Sequence, residues 1–196
     1  ASTYFEEPKA FARRVGHRTE EEKMAVIVQR LVGSRQGQFF YPAISGVARS
    51  YNYYPFDRMH PEDGIASIAM GLGKMVTEDE QALRFSPLHP QLLPQFSKTE
   101  DILANAQRDF YALEMGRPCL PTDGQEKSGL AKRSLDDALQ EYPVQQLFST
   151  YVSEDHCIRD STHMPGQKVL TFAPILKYDT FPLAKILVDV LGLGQR

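Results

Sequence analysis

Two glycines follow an apolar segment in Gly71-Leu72-Gly73, and their spacing could serve phosphate chemistry. Glycine lets backbone N–H groups approach an anion closely, and a helix that begins after such a loop adds the positive end of its dipole. The segment matches neither the GxGxxG pattern of dinucleotide sites nor the GxxxxGK[ST] pattern of phosphate loops. A structural turn is therefore the favoured alternative to an anion site.

A second group of polar residues has the composition of a metal site. Asp155, His156 and Cys157 are consecutive, and Asp160 and His163 follow shortly after. Cysteine and histidine are ligands that zinc prefers, but the spacing fits none of the well-defined zinc patterns. A polar turn between two strands explains the same residues, so we assign no metal ligand in this chain.

Two further places could act on a substrate. Arg49 ends an apolar segment and could hold a phosphate through two hydrogen bonds, or it could form a surface ion pair. His60, Glu62 and Asp63 could be acid–base groups, although the proline and glycine among them favour a turn. The remaining histidines and serines show no partners in the sequence, and we therefore predict no catalytic residue.

Composition argues against several classes of protein. The net charge of −3 over 196 residues does not suggest a surface for nucleic acid or for an anionic membrane. No apolar run approaches the ~20 residues that span a bilayer, and the first residues lack a signal-peptide pattern. Two cysteines without a CxxC pair favour a reducing compartment. We expect a cytoplasmic protein with a packed core.

The hydrophobic pattern predicts both strands and helices. Strands are expected at 24–32, buried on both faces, and at 44–50, 65–70, 147–152 and 168–173. Helices are expected at 5–15, from Thr99 as N-cap, and from Pro182 to a stop at Gly192 and Gly194. Residues 110–113 could belong to a helix or to a strand, 85–96 should be irregular, and 116–133 should be a linker. Because strands and helices do not alternate regularly, the predicted class is α+β with a mainly antiparallel sheet and flanking helices.

Three segments, taken in order, resemble one known family. Residues 24–32 (MAVIVQRLV) resemble the strand and hinge that hold adenine in phosphoenolpyruvate synthases, pyruvate phosphate dikinases and rifampicin phosphotransferases. Ser45-Gly46-Val47-Ala48 is similar to the SGV-[AM]-F strand of that family. Residues 68–76 (IAMGLGKMV) look like its A-x-GLGE-x-VV segment. The remainder resembles a larger synthase-like branch, with an insertion at about 85–165.

The resemblance implies an ATP-grasp fold, of which residues 1–196 would be a part. Its cofactors would be ATP and Mg²⁺, with the magnesium ligands outside this chain. Gln29 would contact adenine or ribose, and the main chain at Leu31 and Val32 would read the adenine edge. The loop of Gly71, Leu72 and Gly73 would support the nucleotide cleft from behind.

The chain departs from the family at Lys74, where glutamate is common, and at Asp79, where glycine is common. Family members also hold the phosphates with an early lysine and an arginine, and they carry a D-x-E pair for magnesium and a Q-x-R motif. None of these occurs here. Since phosphoryl transfer depends on such cations, the resemblance implies a fragment that contributes the adenine-binding part of the ATP site and is inactive alone.

The whole enzyme would be an ATP-dependent phosphotransferase similar to phosphoenolpyruvate synthase, in which ATP phosphorylates a histidine and the phosphoryl group then passes to pyruvate. Its partners would be an adenine nucleotide and the missing parts of the same polypeptide: the other ATP-grasp subdomain, the phosphohistidine domain and the pyruvate-binding domain. The alternative is a non-catalytic nucleotide-binding or interaction module on an ATP-grasp-like scaffold. Lys74 and Asp79 would then mark a decayed site.

Overall fold

The segment before residue 32 forms a unit of its own, Ala1–Leu31, and the rest of the chain forms a second unit, Val32–Arg196. The computed structural model describes residues 6–15, 25, 27–78, 81–116, 129–139 and 144–194. Within the first unit, helix α1 covers Glu6–Val15, as the sequence predicts. Its first turn is acidic and its last turn is basic, which is the charge order that the helix dipole favours.

The strand predicted at 24–32 is wrong for the residues that can be checked. Ala25 and residues 27–32 have no regular secondary structure, and Met24 and Val26 lie outside the described residues. Ile27 and Val28 are 83% and 88% exposed, so this run is not buried on both faces. A strand needs neighbouring strands as well as a suitable composition, and no strand in the described part of the chain pairs with this run.

The second unit is built from short antiparallel strands. Those that the structure describes are β1 (Ser34–Gln36), β2 (Phe39–Tyr41), β3 (Ser45–Arg49), β4 (Ile65–Ala69), β5 (Leu83–Phe85), β6 (Asp109–Glu114), β7 (Leu130–Ser134), β8 (Phe148–Val152), β9 (Cys157–Arg159) and β10 (Gln167–Leu170). They form three sheets, with the orders β1-β2-β6-β7, β3-β4-β5 and β10-β8-β9. All pairings within these sheets are antiparallel.

Helices flank these sheets, so the fold is mixed α+β. They are α2 (Lys74–Glu78), α3 (Thr99–Asn105), α4 (Leu135–Ala138), α5 (Ala173–Leu176) and α6 (Leu183–Gly194). Short 3-10 helices cover Pro61–Asp63, Pro94–Phe96 and Val144–Leu147. Every helix in the described residues is too short or too polar to cross a bilayer.

The strands predicted at 44–50, 65–70, 147–152 and 168–173 are confirmed as β3, β4, β8 and β10, each with somewhat shorter bounds. Residues 110–113 belong to a strand, β6, since they pair with β7. The partner strand β7 was predicted as part of a linker. Its burial alternates along the chain, as expected for a strand with one solvated face.

Two details of the predicted helices are wrong. Lys98, in extended conformation, is the N-cap of α3, and Thr99 is already the first helical residue. Helix α6 continues through Gly192, which was predicted to stop it, and its bounds end at Gly194, the second predicted stop. Near a helix end glycine costs only about 1 kcal/mol relative to alanine, which the preceding apolar turns can offset.

The core of the second unit is rich in aromatic side chains. Tyr41 of β2 and Phe110 of β6 lie with their ring centroids 4.8 Å apart at an interplanar angle of 56°, a tilted geometry that aromatic pairs favour. Phe172, which links β10 to α5, is 2% exposed and has a left-handed backbone with φ of 54°. Its N–H donates to the carbonyl of Leu147 at 2.9 Å. The hydrogen bond and the burial hold this residue in a conformation that it would rarely adopt alone.

One buried amide joins two of the sheets. The Oε1 of Gln107 accepts from the N–H of Met70 at 2.9 Å, and its Nε2 donates to the carbonyl of Met70 at 3.0 Å. The same Nε2 donates to the carbonyl of Asp109 at 2.7 Å. Met70 follows β4 and Asp109 begins β6, so the side chain of Gln107 links the ends of strands from different sheets.

The next residue, Gly71, approaches β6 so closely that a side chain would not fit. A Cβ at Gly71 would lie 2.8 Å from the carbonyl oxygen of Tyr111 and 2.9 Å from the Cβ of Phe110, and φ is +86°. The following N–H, of Leu72, donates to the carbonyl of Tyr111 at 2.8 Å. Glycine is required here by both the contact and the backbone conformation.

We predict that Gly71→Ala lowers the free energy of unfolding by about 2–4 kcal/mol, because the new methyl group meets the backbone of β6 at a strained φ. Gly73→Ala is the matched control, since a Cβ at Gly73 would enter open space, and we expect a change within about 0.5 kcal/mol. Urea unfolding followed by circular dichroism measures both. Equal stabilities of the two variants would contradict the role given to Gly71.

We also predict that Gln107→Met lowers the free energy of unfolding by about 2–4 kcal/mol, because two buried main-chain groups of Met70 lose their partner. Methionine has a similar length, so packing changes little. Gln38→Met is the control, because Gln38 is exposed, and its effect should stay within about 0.5 kcal/mol. Thermal unfolding of the two variants tests this, and a Gln107→Met variant as stable as the parent would rule the linking role out.

Candidate functional site

A cavity of about 650 Å³ lies beside β3 in the second unit. We call it the base cavity. Its volume is in the range of small-molecule sites, roughly 300–1,000 Å³. The residues that line it come from the segment before β1, from β3 and the segment before it, from β4, and from the helices near the end of the chain: Val32, Gly33, Ser34, Pro42, Ala43, Ile44, Ser45, Gly46, Val47, Ala48, Ala66, Ile68, Gln146, Leu147, Ile175, Thr180, Phe181, Leu183 and Leu187.

The strand β3 forms a wall because it pairs along its whole length with β4, from Ser45 opposite Ala69 to Arg49 opposite Ile65. Gly46 allows the close approach of the two strands. A Cβ at Gly46 would lie 2.8 Å from the carbonyl oxygen of Ser67 and 3.0 Å from the Cγ2 of Ile68. Any larger residue at this position would push β3 away from β4 or move Ile68 in the cavity wall.

The lining of the base cavity is mostly apolar and carries no charged side chain. Its one notable polar atom is the Oγ of Ser45, which is buried and has no hydrogen-bond partner among the described residues. Buried hydroxyl groups are normally paired. The cavity therefore offers apolar contact to a flat molecule and no group that would neutralise a phosphate, while the unpaired Ser45 hydroxyl is covered by the residues around it.

The residues assigned to nucleotide binding by resemblance fall in three places. Val32 lines the base cavity. Gln29 and Leu31 are exposed and belong to the first unit. Gly71, Leu72 and Gly73 follow β4, whose residues Ala66 and Ile68 line the base cavity, but they are not part of its lining. Their assignment to the support of the cleft stays a prediction.

The turn of Gly71, Leu72 and Gly73 has less capacity for an anion than its glycines suggest. The N–H of Leu72 already donates to Tyr111. Helix α2, which follows, has only five residues. The ammonium group of Lys74 lies 5.1 Å from the centroid of the Tyr111 ring, a cation–π distance. These contacts tie the turn to β6, as expected for the structural-turn alternative.

The polar residues considered for zinc lie in and after the β8–β9 hairpin. The described part of the chain holds no group of three or more His, Cys, Asp or Glu side chains placed to bind a metal. The Nδ1 of His156 lies 3.3 Å from the hydroxyl of Tyr151, and Asp155 pairs with Arg159 at 3.4 Å. This arrangement agrees with a polar turn between two strands.

The other candidates lie at the end of β3 and just before β4. Asp63 ends a 3-10 helix, and its Oδ2 accepts from the N–H of His60 at 2.6 Å and lies 3.3 Å from the Nε2 of His89. Arg49 is the exposed last residue of β3. Ser86 lies beside the Asp63–His89 pair: it forms an isolated β-bridge with His89, and its Oγ donates to the main-chain carbonyl of Asp63 at 3.4 Å.

Sequence reasoning missed most of the base cavity. Ser45 was quoted for its motif, but nothing in a sequence shows that a hydroxyl will be buried without a partner. Three lining residues lie more than a hundred residues from β3 in the chain: Phe181, Leu183 and Leu187. The hydrophobic pattern of α6 predicted that this helix has a buried face, but it did not show which element that face packs against. Only Val32 was identified in advance.

Comparison with known proteins adds no family to these observations. The chain matches no family model, no curated protein and no solved structure. A family assignment therefore depends on the three resembling segments and on where the fold places them.

Proposed function

We propose that the chain is part of the ATP-grasp domain of an ATP-dependent phosphotransferase similar to phosphoenolpyruvate synthase, and that the base cavity receives the adenine of ATP. One observation supports this most strongly. Val32, residues 45–48 and Ile68 each come from a different one of the three resembling segments, and all of them line the same cavity. Residues from all three resembling segments thus lie around one cavity, which is what a shared nucleotide site would require.

The chemistry of the base cavity suits a purine. Adenine is flat and largely apolar on its faces, so uncharged walls stabilise it by removing that surface from water. Its edge carries hydrogen-bond donors and acceptors, and the unpaired Oγ of Ser45, which is covered in the free protein, would bond to that edge after a local shift of the cavity wall. Val32, whose main chain the resemblance assigns to the adenine edge, also lines the cavity.

Phosphoryl transfer needs cations that neutralise the phosphates. The lining of the base cavity has none, and the described residues contain no carboxylate group suited to Mg²⁺. The proposed role of this chain is therefore base binding, and it would not catalyse transfer by itself. The phosphate-binding residues, the magnesium ligands, the phosphohistidine and the pyruvate site would belong to other parts of a larger cytoplasmic enzyme.

The alternative is a non-catalytic nucleotide-binding or interaction module. The contact of Lys74 with Tyr111 favours it, because this lysine stabilises the turn where the family commonly has glutamate. Asp79, the other departure from the family, lies outside the described residues. Both hypotheses place adenine in the same cavity, and they differ in whether the longer protein turns ATP over.

We predict that the 196-residue chain binds adenosine and ATP with affinities within about threefold of each other, since a cavity without cations gains little from phosphates. Chelation of Mg²⁺ should leave both affinities unchanged. Ligand-observed NMR titrations, with GTP as the comparison base, measure this. ATP binding that is tenfold tighter than adenosine binding and needs Mg²⁺ would show that phosphate ligands exist in this chain, and no binding of either ligand would refute the proposal.

We predict that Ser45→Ala weakens adenosine binding about fivefold, the equivalent of one hydrogen bond of about 1 kcal/mol. Its stability should be equal to or above that of the parent, because the variant removes a buried hydroxyl group that has no partner. Ser67→Ala is the control on the neighbouring strand, since Ser67 does not line the cavity, and it should bind adenosine normally. Unchanged affinity in Ser45→Ala would exclude the hydroxyl as a ligand of the base.

A further inference from the structure

A second cavity, of about 570 Å³, lies in the same unit where the segment before α3, strand β9 and the start of α5 meet. We call it the lysine cavity. It shares no lining residue with the base cavity. Much of its wall is apolar and includes Phe56, Leu93 and Ile102, whereas Lys98, Asp160 and Lys177 supply charge.

The carboxylate of Asp160 is held by three donors. Its Oδ1 accepts from the Oγ of Ser149 at 3.0 Å, and its Oδ2 accepts from the Nζ of Lys177 at 3.1 Å and from the hydroxyl of Tyr178 at 3.2 Å. The side chain of Asp160 is only 15% exposed. Its negative charge is therefore compensated, and it fixes the position of the Lys177 ammonium.

Both lysines keep donors for a ligand. An ammonium group has three N–H donors, and Lys177 spends one of them on Asp160. The Nζ of Lys98 has no hydrogen-bond or ion-pair partner among the described residues. The lining thus presents two ammonium groups against one compensated carboxylate, on a protein whose net charge is −3.

We propose that the lysine cavity binds a small organic anion with an apolar body, the body lying against Phe56, Leu93 and Ile102 and the anionic group lying at Lys98 and Lys177. The volume is that of an ordinary small-molecule site. Local positive charge raises the concentration of anions at the mouth of such a cavity. The proposal does not depend on adenine binding in the base cavity.

Cys157 lines the lysine cavity. The rate at which an alkylating reagent modifies its thiol therefore shows whether a ligand occupies the cavity. Its side chain is partly exposed, so a small alkylating reagent can reach it. The chain has two cysteines, Cys119 and Cys157. A Cys119→Ser background leaves Cys157 as the sole thiol, and a ligand in the cavity should slow its alkylation.

The probe is 8-anilinonaphthalene-1-sulfonate, a monoanion with an apolar aromatic body, and N-phenyl-1-naphthylamine is the comparison because it has the same body without charge. In fluorescence titrations, Lys98→Gln should weaken binding of the sulfonate about threefold to fivefold, as for an exposed charge pair. Lys98→Arg should restore it, and binding of the neutral amine should not change. Saturating sulfonate should slow alkylation of Cys157 by iodoacetamide at least about fivefold.

The control is Lys185→Gln, at an exposed lysine of α6, which should bind the sulfonate normally. Lys98 makes no side-chain cap hydrogen bond to α3, so its replacement should leave the fold intact, and circular dichroism checks this. The proposal is overturned if the sulfonate does not bind, if Lys98→Gln binds it as the parent does, or if Cys157 reacts equally fast with and without it. Loss of sulfonate binding in Lys185→Gln as well would assign the effect to overall charge and overturn it too.

Discussion

The hydrogen bonds of Gln107 hold the end of β4, a strand that lines the base cavity, to the start of β6. A single buried amide satisfies the main chain of Met70, at the point where β4 ends and no strand partner remains. Its third bond reaches Asp109, at the start of β6. Directly afterwards the close approach of Gly71 to Phe110 and Tyr111 removes the space between the two sheets. Because buried polar groups must be paired, the end of β4 has to lie within hydrogen-bonding distance of the Gln107 side chain.

The two cavities of the second unit differ in the chemical groups on their walls. The base cavity has uncharged walls, and the lysine cavity has two lysines on its lining, one of them paired with the Asp160 carboxylate. A protein that bound a whole nucleoside triphosphate would need both kinds of surface in one continuous cleft. Here they have separate linings, which is why base recognition and anion recognition are assigned to different ligands.

Much of the sheet structure could be predicted because its strands are locally apolar and end at turn residues. β3, β4, β8 and β10 are examples. The run at 24–32 has the same composition, but its exposure shows that composition does not provide a partner strand. The opposite error occurred at β7, where Lys132 and Arg133 made a half-exposed strand resemble a linker. β7 forms a strand because it pairs with β6. Such pairing joins residues that are distant in the sequence, so a local pattern does not show it.

The candidate site was predictable only in part, for a related reason. Motif resemblance identified Val32 and quoted the strand of Ser45, since those residues are contiguous in the sequence. The lack of a partner for a hydroxyl, and the contribution of α6 to a wall beside β3, depend on residues that are distant along the chain. The pattern of neighbouring residues in the sequence shows neither the unpaired hydroxyl group nor the contribution of α6. The need for a glycine at position 71 also has a distant origin, because the atoms that require it come from β6.

Helix α5 is short, and its residues face in two directions. Ala173 lines the lysine cavity and Ile175 lines the base cavity, while the buried, left-handed Phe172 fixes the start of the helix. A shift of α5 that opens one cavity must therefore alter a wall of the other. If a ligand in either cavity moves this helix, each ligand will change the affinity of the other by the same factor, since linkage between two sites is reciprocal. Four residues would then be enough to make the two cavities a thermodynamically coupled pair.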